Sequence, residues 1–109
     1  AVKYHLVNGI KVNSQDKTGK TPLLWAVRSR KHAVVSHLLA RGANPNLADN
    51  SNVTPLFWAV RVRRPELVSQ LLAKGADIGH KDKNGRTALD HARDETVIAI
   101  LRRYASEKE

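Results

Sequence analysis

The chain has 109 residues, enough for one domain, and it carries 19 Lys and Arg residues against 10 Asp and Glu residues, a formal net charge of +9. This excess of positive charge favours acidic proteins, nucleic acid or anionic lipid as partners, but it does not indicate a fold. The absence of cysteine excludes disulfide frameworks, thiolate metal sites and cysteine nucleophiles.

The sequence contains no apolar run that approaches the length of a membrane span. Residues 1–10 also lack the basic start and apolar block of a signal peptide. We therefore expect an intracellular protein, in the cytoplasm or the nucleus. The chain starts without methionine and inside a repeat, so we interpret it as a fragment, which we expect to be monomeric.

The dominant pattern is a repeat of 33 residues that recurs along the chain. A strict period of this length indicates one supersecondary unit that is copied, with the copies stacked around a continuous core. We therefore expect function on a surface rather than in a deep pocket. The residues that recur at this spacing are Asp16, Asp49 and Asp82; Thr21, Thr54 and Thr87; Leu23, Leu56 and Leu89; Ala26, Ala59 and Ala92; and Gly9, Gly42 and Gly75.

The first helix of each unit is predicted to begin at a Thr-Pro pair. Thr21 and Thr54 each offer an N-cap hydroxyl, and the proline that follows suits the first helical position, where no N–H is needed. Each helix is expected to end by Arg30 or Arg63. Its residues include Leu, Trp, Ala and Val, with small alanines where a neighbouring helix could approach closely.

A short turn leads to a predicted second helix with apolar residues at positions i, i+1, i+4 and i+5. Gly42 and Gly75 follow these helices and suit a left-handed C-terminal cap. Because these glycines close helices and do not open one after a strand, they do not form a phosphate-binding loop. The apolar residues are Val34, Val35, Leu38 and Leu39, then Leu67, Val68, Leu71 and Leu72.

The polar segment between each of these glycines and the next threonine is predicted to form an extended turn. Gly19 and Gly85 share one position of this turn, and Asn52 holds it in the middle unit. Since asparagine is common among non-glycine residues at positive φ, we predict a positive φ for Asn52. The periodic aspartates are interpreted as side chains that bond the backbone of the turn, not as catalytic carboxylates.

The last unit is shortened. Thr87 begins a helix as before, but Val97, Ile98 and Leu101 arrive three residues early and a polar segment follows. This pattern is typical of a terminal capping repeat. We therefore predict a single domain over 1–109, divided into a half repeat at 1–15, repeats at 16–48 and 49–81, and a capping repeat at 82–109.

The motif Asp-x-x-Gly-x-Thr-Pro-Leu-x-x-Ala, followed by Val-Val-x-x-Leu-Leu-x-x-Gly-Ala-Asn-x-Asn, resembles the ankyrin repeat over essentially the whole chain. The resemblance implies an all-α solenoid of helix-turn-helix units with β-turn fingers. It also implies a concave groove of fingers and first helices that binds other proteins without catalysis.

Two departures from the ankyrin motif make this a divergent member. The histidine usual after Thr-Pro-Leu is replaced by Leu24, Phe57 and Asp90, so we expect a stack less stable than the family's norm. The glycine usual between the two helices is replaced by Arg30 and Arg63, a change that we expect the fold to tolerate.

The sequence indicates no catalytic residue, no metal site and no cofactor. Two of the five histidines, His32 and His37, lie on one predicted helix but five residues apart, so they do not share a face. Scattered surface or interface histidines are the favoured interpretation. The remaining histidines are His5, His80 and His91.

Trp25 and Trp58 share one position of the repeat. They suit a stacking platform for bases or an aromatic hot spot, but their apolar neighbours favour core packing between adjacent first helices. We therefore do not count them among the candidate binding residues.

The candidate binding residues are basic and amide side chains at positions that an ankyrin-like stack places in its groove. Acids are few at these positions, which favours a partner protein with an acidic or extended segment, held by Arg–carboxylate contacts. A solvated charged face is the alternative interpretation. The candidates are Lys17, Lys20, Arg28, Asn50, Ser51, Arg61, Lys81, Lys83, Asn84, Arg86 and Arg93.

Two other functions stay open on the sequence alone. The basic face could bind nucleic acid or another polyanion, although the chain has no nucleic-acid fold motif and no predicted alternation of exposed aromatics with charges. The chain could also be the substrate-docking arm of a larger enzyme. A second basic cluster in the helix-to-helix turns would suit a polyanion and comprises Arg30, Lys31, His32, Arg63 and Arg64.

Overall fold

The computed structural model describes residues 12–107, which therefore exclude most of the half repeat predicted at 1–15. The described residues form six α-helices and contain no strand. The helices are α1 (Pro22–Arg28), α2 (His32–Ala40), α3 (Pro55–Arg61), α4 (Pro65–Ala73), α5 (Ala88–His91) and α6 (Glu95–Glu107).

The helices form two layers of a stack. Within each unit the first helix packs on the second, as α1 on α2, α3 on α4 and α5 on α6. Between units α1 packs on α3 and α3 on α5 in one layer, whereas α2 packs on α4 and α4 on α6 in the other. The predicted all-α repeat solenoid is confirmed.

One apolar core runs through the stack between the two layers. Leu23 of α1, Leu38 of α2 and Leu67 of α4 are fully buried in it. Val97 and Leu101 of α6 are also fully buried and belong to the same cluster. Burial of side chains of this size stabilises a fold by about 1.5–3 kcal/mol each, so the packing of α6 on α4 makes a large contribution.

The helix starts follow the Thr-Pro prediction. Thr21 Oγ1 accepts a hydrogen bond from the Leu24 amide at 3.2 Å, and Thr87 and Asp90 form a reciprocal capping box. The middle unit differs, because the Thr54 hydroxyl is 2% exposed and makes no hydrogen bond among the described residues. A buried hydroxyl without a partner lowers the stability of this unit.

A left-handed glycine follows α2 and α4, as predicted. Gly42 and Gly75 both have φ of 94°. The amide of Ala43 donates to the carbonyl of Leu38 at 3.0 Å, the bond that closes a Schellman motif.

Helices α1 and α3 end in the same motif, although an arginine holds the left-handed position. Arg30 has φ of 59° and Arg63 has φ of 57°. The next amide closes the motif in each case, from Lys31 to the Ala26 carbonyl at 2.9 Å and from Arg64 onto α3. A residue with a Cβ pays about 1 kcal/mol in this conformation, so both turns are strained relative to glycine.

The fingers are held by the periodic aspartates, as predicted. Asp16 Oδ1 accepts hydrogen bonds from the amides of Thr18 and Lys20, both at 2.9 Å. Asp49 and Asp82 make the equivalent bonds in the next two units. These backbone bonds, the one from Lys20 above all, lower the pKa of Asp16 to about 2.

Amide side chains join each unit to the next. Asn52 has φ of 62°, as predicted, and its Nδ2 donates to the carbonyl of Lys81 at 2.7 Å. Asn46 Oδ1 accepts from the amide of Asp77 at 2.7 Å, and Asn13 makes the corresponding bond one repeat earlier. The units are therefore connected by hydrogen bonds as well as by the apolar core.

Candidate functional site

The first helices of the two complete repeats, α1 and α3, each carry a tryptophan and an arginine that are not among the buried residues of the helix. In α1, Ala26 and Val27 are buried, whereas Trp25 and Arg28, three residues apart, share the opposite face. Trp25 is 43% exposed, so its predicted place in the core is wrong. Its counterpart Trp58 is partly buried against the core.

The two tryptophans and two arginines form an alternating series that we call the Trp–Arg ladder: Trp25, Arg28, Trp58 and Arg61. The Arg28 guanidinium carbon lies 5.0 Å from the ring centroid of Trp25 and 5.3 Å from that of Trp58. Arg61 lies 5.0 Å from the Trp58 centroid. Cation–π contacts at exposed sites contribute about 0.5–1 kcal/mol each, so both guanidinium groups are held in place before any partner binds.

The finger aspartates also position the first helices. Trp25 Nε1 donates to Asp16 Oδ2 at 3.4 Å, and His91, at the same position of the last unit, lies 2.9 Å from Asp82 Oδ2. This contact with His91 is the largest of several hydrogen bonds that lower the pKa of Asp82. The Asp82 carboxylate therefore stays ionised at neutral pH while its oxygens serve the finger and α5.

The middle unit replaces this bond with an ion pair. Asp49 Oδ2 lies 3.9 Å from the Lys20 Nζ of the preceding finger, and Trp58 Nε1 is left without a hydrogen-bond partner in the described part of the chain. Lys20 is thus engaged between two fingers. The sequence interpretation counts Lys20 among the basic residues of the groove.

A cleft of 360 Å³ lies between the second and third fingers, and we call it the finger cleft. Phe57, which is buried, makes an edge contact with His91 at a centroid distance of 5.6 Å. Four of the candidate binding residues come together here. The lining residues are Ser51, Val53, Phe57, Arg61, Asp82, Lys83, Asn84 and His91.

A neighbouring cleft of 300 Å³ is lined mainly by arginines, and we call it the arginine cleft. Arg61 and His91 line both clefts. Three candidate residues, Arg61, Arg86 and Arg93, meet here with Arg63, which the sequence interpretation assigned to a separate cluster in the helix-to-helix turns. The other lining residues are Val60, Asp90 and His91.

The acid in the arginine cleft already serves the backbone. Asp90 Oδ2 accepts from the Thr87 amide at 2.9 Å, and this bond is the main reason that the pKa of Asp90 is lowered. The cleft therefore keeps one ionised carboxylate against four guanidinium groups, and its net charge is positive at neutral pH.

The remaining candidates lie along the finger tips. Asn50 Nδ2 donates to the carbonyl of Lys17 at 2.9 Å, and the Asn50 amide donates to the carbonyl of Thr18 at 2.9 Å. Asn50 therefore joins two fingers, with one N–H of its side-chain amide committed to the Lys17 carbonyl. The side chains of Lys17 and Lys81 are exposed.

Residues 12–107 contain no group of three or more His, Asp or Glu side chains arranged to hold a metal ion. None of the helices in the same range is both long enough and apolar enough to cross a membrane.

The comparison with protein families gives a match over most of the chain. The family model described as ankyrin repeats (3 copies) matches residues 1–82, which include both complete repeats and the start of the third finger. The comparison with curated proteins found no match.

Proposed function

The chain belongs to the ankyrin-repeat family, and we propose that its groove holds an acidic, extended segment of a partner protein without catalysing a reaction. Ankyrin repeats are generally protein–protein interaction modules. The acidic character of the segment is inferred from the side chains of the groove, which here comprises the Trp–Arg ladder and the finger cleft.

The Trp–Arg ladder is the observation that carries this proposal. Arg28 and Arg61 are the last residues of α1 and α3, and both guanidinium groups lie close to the ring of Trp58. A guanidinium that stacks on an aromatic ring can still direct the N–H groups of its edge at a carboxylate. Two such groups, one repeat apart, suit acids spaced along an extended peptide.

The finger cleft offers contacts of a different kind to the same partner segment. Ser51 and Asn84 are exposed and supply a hydroxyl and an amide, and Lys83 adds a charge. Phe57 lines the cleft beside them but is almost completely buried. An extended peptide can place its backbone groups against the polar side chains of the cleft.

Single-stranded nucleic acid is the second candidate ligand, because the ladder alternates aromatic and basic side chains. The exposure of Trp25 removes the argument that exposed aromatics are missing. Against this candidate, Arg28 lies over both Trp25 and Trp58 and Arg61 lies over Trp58, so a guanidinium group already covers part of each ring.

The proposal is tested by charge reversal with a matched control. The variant Arg28→Glu/Arg61→Glu alters the ladder, and Arg41→Glu/Lys74→Glu makes the same change in net charge at exposed residues that follow α2 and α4. Reversal of Arg63 is unsuitable as a control, because Arg63 shares the arginine cleft with Arg61.

Peptides are selected on the wild-type protein from a random library, and the affinity of the selected peptides is measured for each variant at physiological salt. We expect selected peptides rich in Asp and Glu, a loss of binding in the ladder variant, and binding in the control variant. Equal loss in both variants would refute a specific groove. Selection without acidic enrichment, together with tight, strongly salt-dependent binding of single-stranded DNA, would favour the second candidate.

A further inference from the structure

We propose that the arginine cleft binds a phosphomonoester, the phosphoserine or phosphothreonine side chain of the segment held in the groove. This inference rests on the proposed function, and it adds a ligand class for a cleft beside the ladder. It is supported by the number of arginines in the cleft, by the separate chain segments that supply them, and by the ion pairs Lys20–Asp49 and His91–Asp82, which include none of them.

Four arginines from three separate segments line the cleft. Arg61 ends α3 and Arg63 lies in the turn after it, Arg86 lies in the third finger, and Arg93 follows α5. Net charge alone does not require this arrangement, since a solvated face would distribute its cations.

Among the residues that line the cleft Asp90 is the one acid, and its carboxylate and the charge of Arg86 attract each other. The ion pairs Lys20–Asp49 and His91–Asp82 include no arginine of the cleft. Asp90 lines the cleft, but one of its oxygens is committed to the Thr87 amide. An incoming anion therefore meets several guanidinium groups without an ion pair to displace.

The charge of the cleft exceeds what one carboxylate can match. A carboxylate carries one charge and two oxygens, which one arginine fork satisfies. A phosphomonoester carries a charge of about −1.5 to −2 at neutral pH and three acceptor oxygens, so it can engage two or three arginines at once. The cleft volume of 300 Å³ accommodates such a group beside the ladder.

The backbone at Arg63 gives a separate reason to assign a role to its side chain. Arg63 has φ of 57°, a conformation that glycine adopts without strain. Strained residues of this kind cluster at ligand sites, where the side chain is needed. Arg30 has the same strain in the preceding repeat but is not among the lining residues of the arginine cleft, so it provides a matched control.

The test compares three peptide libraries that are identical except at one fixed central residue, which is phosphoserine, serine or glutamate. The proteins are the wild type, Arg86→Gln/Arg93→Gln, Arg63→Gly and Arg30→Gly. Arg86 and Arg93 are exposed, so their replacement leaves the core intact. Bound peptide is quantified for each protein and each library.

We expect the wild type to retain about ten times more phosphoserine library than serine or glutamate library, since charge-assisted bonds to an anion are worth at least that factor. Arg86→Gln/Arg93→Gln should abolish the preference. Arg63→Gly should weaken it while raising the denaturation midpoint, and Arg30→Gly should raise the midpoint with the preference unchanged. A purely structural role for Arg63 would leave the preference unchanged in both glycine variants.

Equal retention of the three libraries by the wild type would overturn the inference. If those retained peptides are still rich in Asp and Glu, the proposed function stands; if they show no acidic enrichment, it fails as well. Displacement of the phosphopeptides by equimolar inorganic phosphate would also overturn the inference, because the cleft would then be a site for a free anion. A preference that survives Arg86→Gln/Arg93→Gln would place the phosphate elsewhere.

Discussion

The guanidinium of Arg28 in α1 lies over the ring of Trp58 in α3, 5.3 Å from the ring centroid. This contact joins the first helices of two repeats on their exposed face. The same helices also share the buried core, so adjacent units are held together on two sides.

We expect Arg28 and Trp58 to be energetically coupled by about 0.5–1 kcal/mol. The measurement is a double-mutant cycle with Arg28→Ala and Trp58→Leu, followed by chemical denaturation. The control cycle pairs Trp58→Leu with Arg41→Ala, an exposed arginine outside the ladder, and should be additive. Additivity in both cycles would contradict the contact.

Replacement of Arg30 or Arg63 by glycine should stabilise the protein by about 0.5–1 kcal/mol. The reason is the positive φ of both residues, which glycine adopts without strain. Arg30→Ala removes the same guanidinium but keeps a Cβ, so it should give no such gain. If Arg30→Ala and Arg30→Gly raise the free energy of unfolding equally, charge rather than backbone strain explains the effect.

Gly19→Ala should destabilise the protein more than Gly85→Ala does. Both glycines have positive φ, so both changes carry a backbone penalty of roughly 1 kcal/mol. A Cβ at Gly19 would lie 2.8 Å from the backbone nitrogen of Asn50 in the next finger, whereas a Cβ at Gly85 meets open space. Thermal unfolding compares the loss of stability in the two variants. Equal losses would show that the fingers are not so tightly packed.

Asn52→Gly should be nearly neutral and Asn52→Val should cost about 2 kcal/mol. Glycine relieves the positive φ of Asn52 but loses the hydrogen bond from Nδ2 to the Lys81 carbonyl. Valine loses the bond and increases the strain. Chemical denaturation of both variants compares the effect of backbone strain with that of the lost hydrogen bond. An Asn52→Val variant as stable as the wild type would contradict the turn geometry.

The free energy of unfolding should fall as pH decreases from 3.8 to about 2, because the pKa of Asp16 is lowered in the folded protein. Above this pH range the ionised carboxylate accepts hydrogen bonds from the amides of Thr18 and Lys20, which stabilise the folded protein. Protonation of Asp16 removes this stabilisation. Asp16→Asn should be less stable than the wild type at neutral pH and should lose less stability in acid. Unfolding curves across this pH range give the dependence of the free energy of unfolding on pH for both proteins. The same dependence in the wild type and in Asp16→Asn would exclude a contribution from Asp16.

The period of the sequence was sufficient to predict the solenoid and much of its local geometry. Thr21, the glycine caps and the positive φ of Asn52 depend on interactions within a few residues, and such interactions recur with the period. The left-handed turn at Arg63 could also have been inferred, because its position in the motif usually holds glycine. Because Arg63 is not a glycine, the sequence did not show that the backbone is left-handed at this position, a conformation that the packing of its neighbours imposes.

The ladder and the arginine cleft were harder to predict, because they depend on contacts between repeats. The apolar neighbours of Trp25 suggested burial, but a helix of seven residues turns its tryptophan and arginine to one exposed face. The spacing of Trp25 and Arg28 was the signal that could have revealed the pair. Arg63, in a helix-to-helix turn, and Arg86, in the next finger, line the same cleft. The spacing of residues along the sequence does not specify that these two segments lie together.

Both tryptophans of the chain belong to the ladder, so the native protein carries its own optical reporter of the groove. Indole emission moves to shorter wavelength when water is excluded from the ring and to longer wavelength when the ring is exposed. A ligand that covers Trp25 therefore shifts the emission in one direction, whereas unfolding, which exposes the partly buried Trp58, shifts it in the other. Occupancy and loss of structure can thus be followed in one unlabelled titration.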